Sequence, residues 1–313
     1  MFDYDLKRPQ YSPWSQFAIL LLLSGVGLLI GSFVCVDIAK IYLRIPLQSV
    51  PDALKNIQDA NLARLTQFVF ALFFMALPSF LFARVMSRSP FKYIGYNSAI
   101  SGKQVFIVIG IMLAGLFVSG ALGEVNSLIP LTKSAENYFK GLEDEYNKQV
   151  LIIANMKSVT DYIISIIIIA LMPALFEEML FRGSLQPVMI KLTKNGFAGI
   201  LITSILFSAI HLSYYGFLPR LALGFIIGYV FYFSKNLWLS SLTHFLYNLY
   251  GISEVYALSR KGLITTDDLK DDSFPLFYGL LAAIAIYVIF IVFKKESQVV
   301  ISTYNLDQVT KNE

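Results

Sequence analysis

The feature of this sequence that most restricts its fold is a series of long apolar runs separated by short polar segments. An α-helix needs about 20 apolar residues to cross the ~30 Å hydrocarbon layer of a bilayer, and these runs have roughly that length. The runs are continuously apolar and do not alternate, which disfavours a membrane β-barrel. We predict about eight transmembrane helices, at residues 16–37, 66–87, 104–127, 160–181, 196–214, 218–234, 237–252 and 274–293.

The composition agrees with a chain whose bulk does not face water. Hydrophobic residues make up 56% of the 313 positions and charged residues 15%, whereas about a quarter of an ordinary soluble domain is charged. No internal repeat and no linker marks a second unit. We therefore predict a single all-α transmembrane domain over residues 1–313, with a polar cavity inside the helix bundle. The seventh span is short and polar, which favours a position within the bundle.

Charge and cysteine content limit the partners and the class of site. The net charge of +4 is spread along the chain without a dense basic cluster, so nucleic acid is not an expected partner. The bilayer is the expected partner. Cys35 is the only cysteine, which leaves neither a disulfide framework nor a cysteine-based metal site.

Basic residues in the short connections predict the orientation. Lys92 and Lys103 lie in the 85–103 loop, Lys194 lies in the turn after the fourth span, and Lys294 and Lys295 follow the last span. Cytoplasmic loops are enriched in such residues, and an even number of spans puts both termini on their side. We expect cytoplasmic termini and, since no eukaryotic retention signal is seen, a bacterial inner membrane. The opposite loops carry an acidic group: Glu143, Asp144, Glu145, Asp267, Asp268, Asp271 and Asp272.

The longest polar connection, from about 128 to 159, contains a helical pattern. Tyr138, Leu142 and Tyr146 recur at helical spacing, which predicts a short amphipathic helix at the membrane interface. Such a helix could close over a cavity as a lid or pack against the bundle as a surface element. The sequence leaves both interpretations open.

Two adjacent carboxylates stand at the end of the fourth apolar run. Ionisable groups inside a membrane cost several kcal/mol, so Glu177 and Glu178 require an explanation. Glu178 and Arg182 are four residues apart on one helix face and can form an ion pair. Glu177 projects about 100° away and remains free to titrate. We predict a structural role for Glu178 with Arg182 and a chemical role for Glu177.

Both histidines of the chain lie in apolar spans. A single intramembrane histidine often serves as an interhelical hydrogen-bonding group, but here His211 and His244 are the whole complement. Asn248 follows His244 by four residues, so imidazole and amide share a face and could both donate to a developing oxyanion.

Counting residues from the polar turns predicts the depth of these groups. Glu177 and His211 are each 17 residues from Lys194, so a helix hairpin brings them to the same depth. His244 is only nine residues past Lys235, so at ideal helix rise it lies on the order of 10 Å shallower in the membrane than Glu177 and His211. Helix tilt, with kinks at Pro173 and Pro187, has to absorb that difference.

At these residues the sequence resembles the CPBP family, the CAAX prenyl-protease and bacteriocin-processing family, also called Abi. The Glu-Glu-x-x-x-Arg motif of that family is met at Glu177, Glu178 and Arg182. Its Phe-x-x-x-His motif is met at Phe207 and His211, and its His-x-x-x-Asn motif at His244 and Asn248. The three motifs occur in the family's order, within a catalytic core of about residues 160–250.

The resemblance implies an intramembrane endopeptidase. In the family's glutamate mechanism Glu177 and His211 activate a water molecule, His244 and Asn248 stabilise the oxyanion, and Glu178 and Arg182 support the site together with Phe207. No metal is the preferred reading. The alternative is a zinc form in which Glu177, His211 and His244 bind Zn²⁺.

The resemblance also implies a membrane-embedded or lipidated peptide or protein as substrate, without selecting among prenylated CAAX proteins and bacteriocin-related peptides. Two other function classes stay open. One is a proton-coupled transporter that uses Glu177 and the histidines as a relay, which would predict an internal repeat. The other is a non-catalytic scaffold of the same architecture.

Overall fold

The structure, a computed structural model, describes residues 11–153, 156, 158–260 and 275–310. Within those ranges every regular element is helical, so the predicted all-α fold is confirmed. Short helical turns at Leu47–Ser49, Val50–Lys55 and Pro90–Tyr93 join longer helices. The longer helices are α1 (Pro13–Leu43), α2 (Ala60–Met86), α3 (Gly102–Ser127), α4 (Lys133–Ile153), α5 (Val159–Thr193), α6 (Gly196–Ala209), α7 (Phe217–Ser234), α8 (Leu237–Arg260) and α9 (Leu276–Thr310).

Six helices in the described part of the chain, namely α1, α2, α3, α5, α7 and α9, are long and apolar enough to cross a membrane. The protein is therefore an integral, multi-pass membrane protein. Helix α6 is apolar but has only 14 residues, fewer than a helix needs to cross a bilayer, and α8 is long enough but less apolar. The predicted number of eight spans is accordingly not confirmed.

The fifth predicted span, residues 196–214, extends five residues beyond the C-terminal end of the observed helix. Helix α6 stops at Ala209, and the N–H groups of His211 and Leu212 bond only three residues back, to Ser208 and Ala209. Leu212 then takes a left-handed conformation with φ of 52°, which an α-helix of L-residues does not continue through. The chain leaves the helix here and re-enters one at Phe217.

Hydrogen bonds tie several helix ends together at one end of the bundle. The side chain of Asn236, just before α8, donates to the backbone carbonyls of Asn97 and Ala99. In the same way Gln104 of α3 bonds to Ser297 of α9. This end also carries the basic residues of the 85–103 loop and of the 194 and 235 turns. Of the acidic loops expected opposite, Asp267, Asp268, Asp271 and Asp272 lie outside the described residues, as does residue 274, where the last predicted span begins.

Helices α2 and α5, which pack around the site, contain prolines in their interior and still continue past them. The N–H of the residue before Pro78, Pro173 and Pro187 bonds five residues back, which makes the preceding turns π-helical. A proline has no N–H of its own and its ring collides with the carbonyl four residues earlier, so a wider turn before it relieves both problems. The two π-helical segments of α5, Ile166–Leu171 and Met179–Leu185, flank Glu177 and Glu178.

The amphipathic helix predicted in the 128–159 connection is present as α4. It packs over the non-helical segment 210–216, because the Ser213 hydroxyl donates to Glu143 at 2.8 Å and Phe139 stacks on Tyr214 with ring centroids 4.8 Å apart. Irregular backbone is tolerated at membrane depth only where protein covers it, and α4 supplies such a cover.

Candidate active site

The centre of the site is the buried carboxylate of Glu178, which has two partners. Its Oε1 accepts from Arg182 Nη1 at 2.9 Å and from His244 Nδ1 at 2.9 Å. The side chains of Glu178 and Arg182 are completely buried. The expected ion pair is therefore present, and in addition Glu178 joins the first motif to His244, a contact that the sequence analysis did not anticipate.

Arg182 is held from three sides. Its Nη2 donates to the carbonyl of Gly224 at 3.0 Å, and its guanidinium lies 4.6 Å from the ring centroid of Phe207. One helical turn further along, Gln186 donates to the carbonyl of Gly228 at 3.0 Å. A side chain at Gly228 would collide with Ile200, so glycine lets α5 and α6 approach α7 closely enough for these bonds.

The hydrogen bond from His244 Nδ1 to Glu178 determines which ring nitrogen of His244 can face a substrate. A carboxylate oxygen only accepts hydrogen bonds, so the Nδ1 of His244 carries the proton that it donates to Glu178. The second ring nitrogen, Nε2, lies 3.9 Å from Glu177 Oε2, a distance beyond direct hydrogen bonding but within ion-pair range. Nε2 of His244 can therefore donate to a substrate only when the ring is protonated.

Glu177, in contrast to Glu178, lines a cavity. Its side chain keeps 13% of its surface exposed, and its Oε2 accepts no hydrogen bond from the described residues. The adjacent carboxylates thus have the unlike environments that the sequence predicted, one enclosed in an ion-pair network and one open to the cavity. The side chain of Glu177 is therefore the one of the two that a ligand in the cavity can reach.

His211 presents its other nitrogen to the cavity. Its Nδ1 lies 2.8 Å from the backbone carbonyl of Phe207, and because a carbonyl only accepts, Nδ1 is the protonated nitrogen. Nε2 of the neutral ring then carries a lone pair that can accept a hydrogen bond from water. The position of His211, just past the last turn of α6, leaves its ring on the wall of the cavity that Glu177 also lines.

Asn248 completes the predicted group, one helical turn after His244. Its Nδ2 donates a long bond of 3.4 Å to the carbonyl of Ala170. Ala170 belongs to a π-helical segment of α5, so this bond joins α8 to that segment.

One cavity of about 420 Å³ brings these side chains together. It is lined by Glu177, Phe207, His211, His244 and Asn248, among others. The offset of about 10 Å estimated for His244 from ideal helix rise is absent, since His244 contacts both glutamates. Part of the path from Lys194 to Glu177 is π-helical, and a wider turn advances less along the axis for each residue.

Comparison with known proteins bears on what such a cavity does. Residues 159–250 match the family described as type II CAAX prenyl endopeptidase, Rce1-like. The match covers all three motifs and confirms the resemblance to the CAAX prenyl-protease family over those residues. No curated protein and no solved structure matches the chain.

The donor groups around the cavity bear on the zinc alternative. Among the residues that the structure describes, no three His, Cys, Asp or Glu side chains are grouped as a metal site would require. Nδ1 of His211 and of His244 is bound to a carbonyl or carboxylate within the protein, which leaves Nε2 of each ring as the nitrogen that would face a metal in the zinc alternative. No step is therefore derived through a metal.

Sequence reasoning missed several residues of the cavity wall. Gln67 of α2, Tyr146 and Asn147 of α4 and Arg220 of α7 all line it. Three of them have no strong sequence signal. Arg220 did have one, because it is a charge within the predicted span 218–234, where an ionisable residue is costly and indicates a function.

Proposed function

We propose that this protein is an intramembrane endopeptidase of the CAAX type, in which Glu177 is the general base for hydrolysis of a peptide bond. The observation that carries the proposal is the open carboxylate of Glu177, which shares one cavity with both histidines while Glu178 anchors His244 beside it. The match of residues 159–250 to CAAX endopeptidases supports the same chemistry.

In the first step a water molecule is held between Glu177 and His211. The lone pair on Nε2 of His211 accepts one hydrogen of the water, which orients it, while Glu177 accepts the proton that leaves. The resulting hydroxide oxygen bonds to the carbonyl carbon of the substrate, and the electron pair of the C=O bond moves to the carbonyl oxygen. Glu177 is then neutral, and the substrate carries an oxyanion.

His244 and Asn248 stabilise that oxyanion. Since Nδ1–H of His244 is committed to Glu178, Nε2 donates to the oxyanion from the protonated ring. With His244 protonated, the two glutamates are balanced by His244 and Arg182, so the four groups together are neutral before substrate enters. Preorganised donors of this kind, placed where charge develops, contribute strongly to catalysis in a site shielded from water.

Collapse of the intermediate completes the reaction. The electron pair on the oxyanion re-forms the C=O bond, the bond from carbon to the amide nitrogen breaks, and Glu177 returns its proton to the leaving nitrogen. The hydroxyl of water ends on the new carboxyl group and its proton on the new amine. Glu177 recovers its charge, so the site is ready for another turnover.

The proposed substrate is a membrane-embedded or lipidated chain, with prenylated proteins of the CAAX type as the first class to examine. Both termini are proposed to be cytoplasmic in a bacterial inner membrane, because the end of the bundle that carries the start of α1 also carries the basic turns.

The test is the cleavage of membrane peptides by wild-type cells and by cells carrying Glu177→Gln. Membrane proteomics should find peptides that are cut in wild type and remain intact in the variant, at equal protein levels. Uptake of protons by vesicles containing wild type, with no Glu177-dependent cleavage, would instead favour the transporter. Neither signal would favour the scaffold.

A further inference from the structure

Gln67 of α2 brings an amide group to the cavity that Glu177 also lines. Its Oε1 is buried and, like Glu177 Oε2, accepts no hydrogen bond from the residues that the structure describes. A buried oxygen without a donor loses the hydrogen bonds that water would give it, so most such atoms have a partner. Gln67 belongs to none of the three sequence motifs and lies outside the matched segment 159–250. The chemistry assigned above therefore does not account for it.

Helix α2 is fixed against α5 on both sides of Gln67. One turn earlier, Arg64 Nη2 donates to the hydroxyl of Ser165 on α5 at 3.1 Å. The next residue, Phe68, packs on Phe176 of α5 with ring centroids 5.9 Å apart. Since Phe176 directly precedes the proposed base, these contacts keep the amide of Gln67 close to the site of chemistry.

Gln104 shows how an amide behaves in this bundle when its role is structural. Its Oε1 accepts from the backbone N–H of Ser101 and its Nε2 donates to Ser297 of α9, both at 3.0 Å. Each end of that amide has a partner within the protein, as is usual for polar side chains that join helices in a membrane. Gln67 reaches the cavity without a donor for its oxygen, so a ligand in the cavity is the expected source of one.

A peptide in the cavity would carry donors of the required kind. Every backbone N–H and C=O that no longer bonds within the peptide needs a partner, because lipid supplies none. A carboxamide has the same two functions as a peptide group, so it can accept from one N–H and donate to a nearby C=O. It is also uncharged and makes no demand on the side chains of the peptide.

We propose that Gln67 binds the backbone of the substrate, with its Oε1 accepting a hydrogen bond from a peptide N–H close to the bond that is cut. The proposal rests on the proposed function, in which Glu177 directs a water molecule at a peptide bond in this cavity. Gln67 is then a substrate-positioning residue that recognises the main chain. It favours an unwound segment over a helical one, because the N–H groups inside a helix are already bonded.

Two competing roles for Gln67 would change the rates differently. A structural contact would lower the activity toward every peptide by one common factor, and so would an amide that only holds the attacking water. A backbone receptor instead changes the response to the loss of one particular N–H. The ratio between two substrates therefore distinguishes the roles where a single rate does not.

The experiment uses the full-length protein in detergent and a peptide ending in farnesylated Cys-Val-Ile-Met. Analogues replace one peptide N–H at a time by an ester oxygen, while the bond that is cut keeps its N–H. In wild type, one analogue should lose about three- to tenfold in kcat/KM against the parent peptide, the scale of one hydrogen bond. Gln67→Met should bring that ratio close to 1 and leave the other ratios unchanged. Gln149→Met, the matched control, makes the same change at an exposed position of α4 and should keep every wild-type ratio.

Thermal unfolding without peptide separates a substrate role from a structural one. Gln67→Met is nearly isosteric and removes an oxygen that has no donor among the described residues, so its melting temperature should equal or exceed that of wild type. A melting temperature several degrees lower would show that Gln67 holds the helices together and would overturn the substrate role.

Binding of the same peptides to Glu177→Gln protein gives a readout that does not need turnover. The sensitive analogue should bind more weakly than the parent, and adding Gln67→Met should remove the difference. If the peptide is cut but the ester penalty survives Gln67→Met, or no analogue differs from the parent, the backbone receptor is overturned and the protease stands. If the Gln67-dependent difference appears in binding but wild type does not cut the peptide, the receptor stands and the proposed activity on this class of peptide fails. A parent peptide that neither binds nor is cut overturns both.

Discussion

The two adjacent glutamates allow one chemical change to be made in two different environments. Glu178→Gln and Glu177→Gln both replace a carboxylate with an amide of nearly the same shape. Glu178 is fully buried and holds Arg182 and His244 at 2.9 Å each, whereas Glu177 lines the cavity, with no hydrogen bond to its Oε2 among the described residues. Both variants should lose activity, but only the first should lose stability.

The expected loss of stability in each variant depends on the charge that the substitution leaves without a partner. In Glu178→Gln the completely buried Arg182 remains charged without its carboxylate, and breaking a buried pair in this way costs about 3–5 kcal/mol. For a domain of this size that corresponds to roughly 6–20 °C in melting temperature. Glu177→Gln leaves the bonds of Glu178 to Arg182 and His244 in place, so its melting temperature should stay close to that of wild type.

The assay is thermal unfolding of the purified protein in one detergent, followed by intrinsic fluorescence at one heating rate. A third variant, Glu178→Leu with Arg182→Met, replaces the whole pair by apolar side chains and should recover most of the lost stability without recovering activity. The reasoning would be refuted if Glu178→Gln and Glu177→Gln melted at the same temperature. It would also be refuted if the double variant melted below Glu178→Gln.

Two further predictions concern the metal and the helix hairpin. Activity should survive exhaustive chelation, and elemental analysis should find no stoichiometric zinc. If wild type instead held one zinc per chain, and both His211→Ala and His244→Ala lost it, the metal-dependent mechanism would replace the glutamate mechanism. Gly199→Ala should lower the free energy of unfolding by about 1–3 kcal/mol through overpacking, since its Cβ would lie 2.7 Å from the backbone of Ile190. If urea or thermal unfolding were unchanged, α5 and α6 would separate more easily than their packing indicates.

The helical architecture could be predicted because it depends on local pattern alone. Long apolar runs and the helical spacing of the 128–159 connection depend only on the identity of nearby residues, and both gave helices in the structure. The end of α6 could not be located in the same way, because Ile210, His211 and Leu212 include no proline or glycine that would mark a helix end. The helix ends where Leu212 takes a left-handed conformation, next to Ser213, whose hydroxyl bonds to Glu143 of α4, and such a contact between distant segments is a tertiary effect.

Within the site, the near neighbours in sequence were easier to predict than the distant ones. The pair of Glu178 and Arg182 follows from helical spacing, and the two lie 2.9 Å apart. The contact of Glu178 with His244 joins α5 to α8 across 66 residues, and counting from the turns misplaced it because α5 contains π-helical segments. The catalytic roles of these residues stay predictions.

The shortness of α6 has a consequence for the lipid beside the active site. Its 14 residues rise about 21 Å, some 9 Å less than the hydrocarbon thickness of a typical bilayer. The side chains of Ile202, Ile205 and Leu206 are exposed along it, so this face meets acyl chains. In a bilayer, a hydrophobic mismatch of this kind would thin the adjoining lipid and bring the headgroup region closer to His211. Under the proposed function, a transmembrane substrate on this side would lose lipid around its last turn, where its peptide bonds have to unwind before they can be cut.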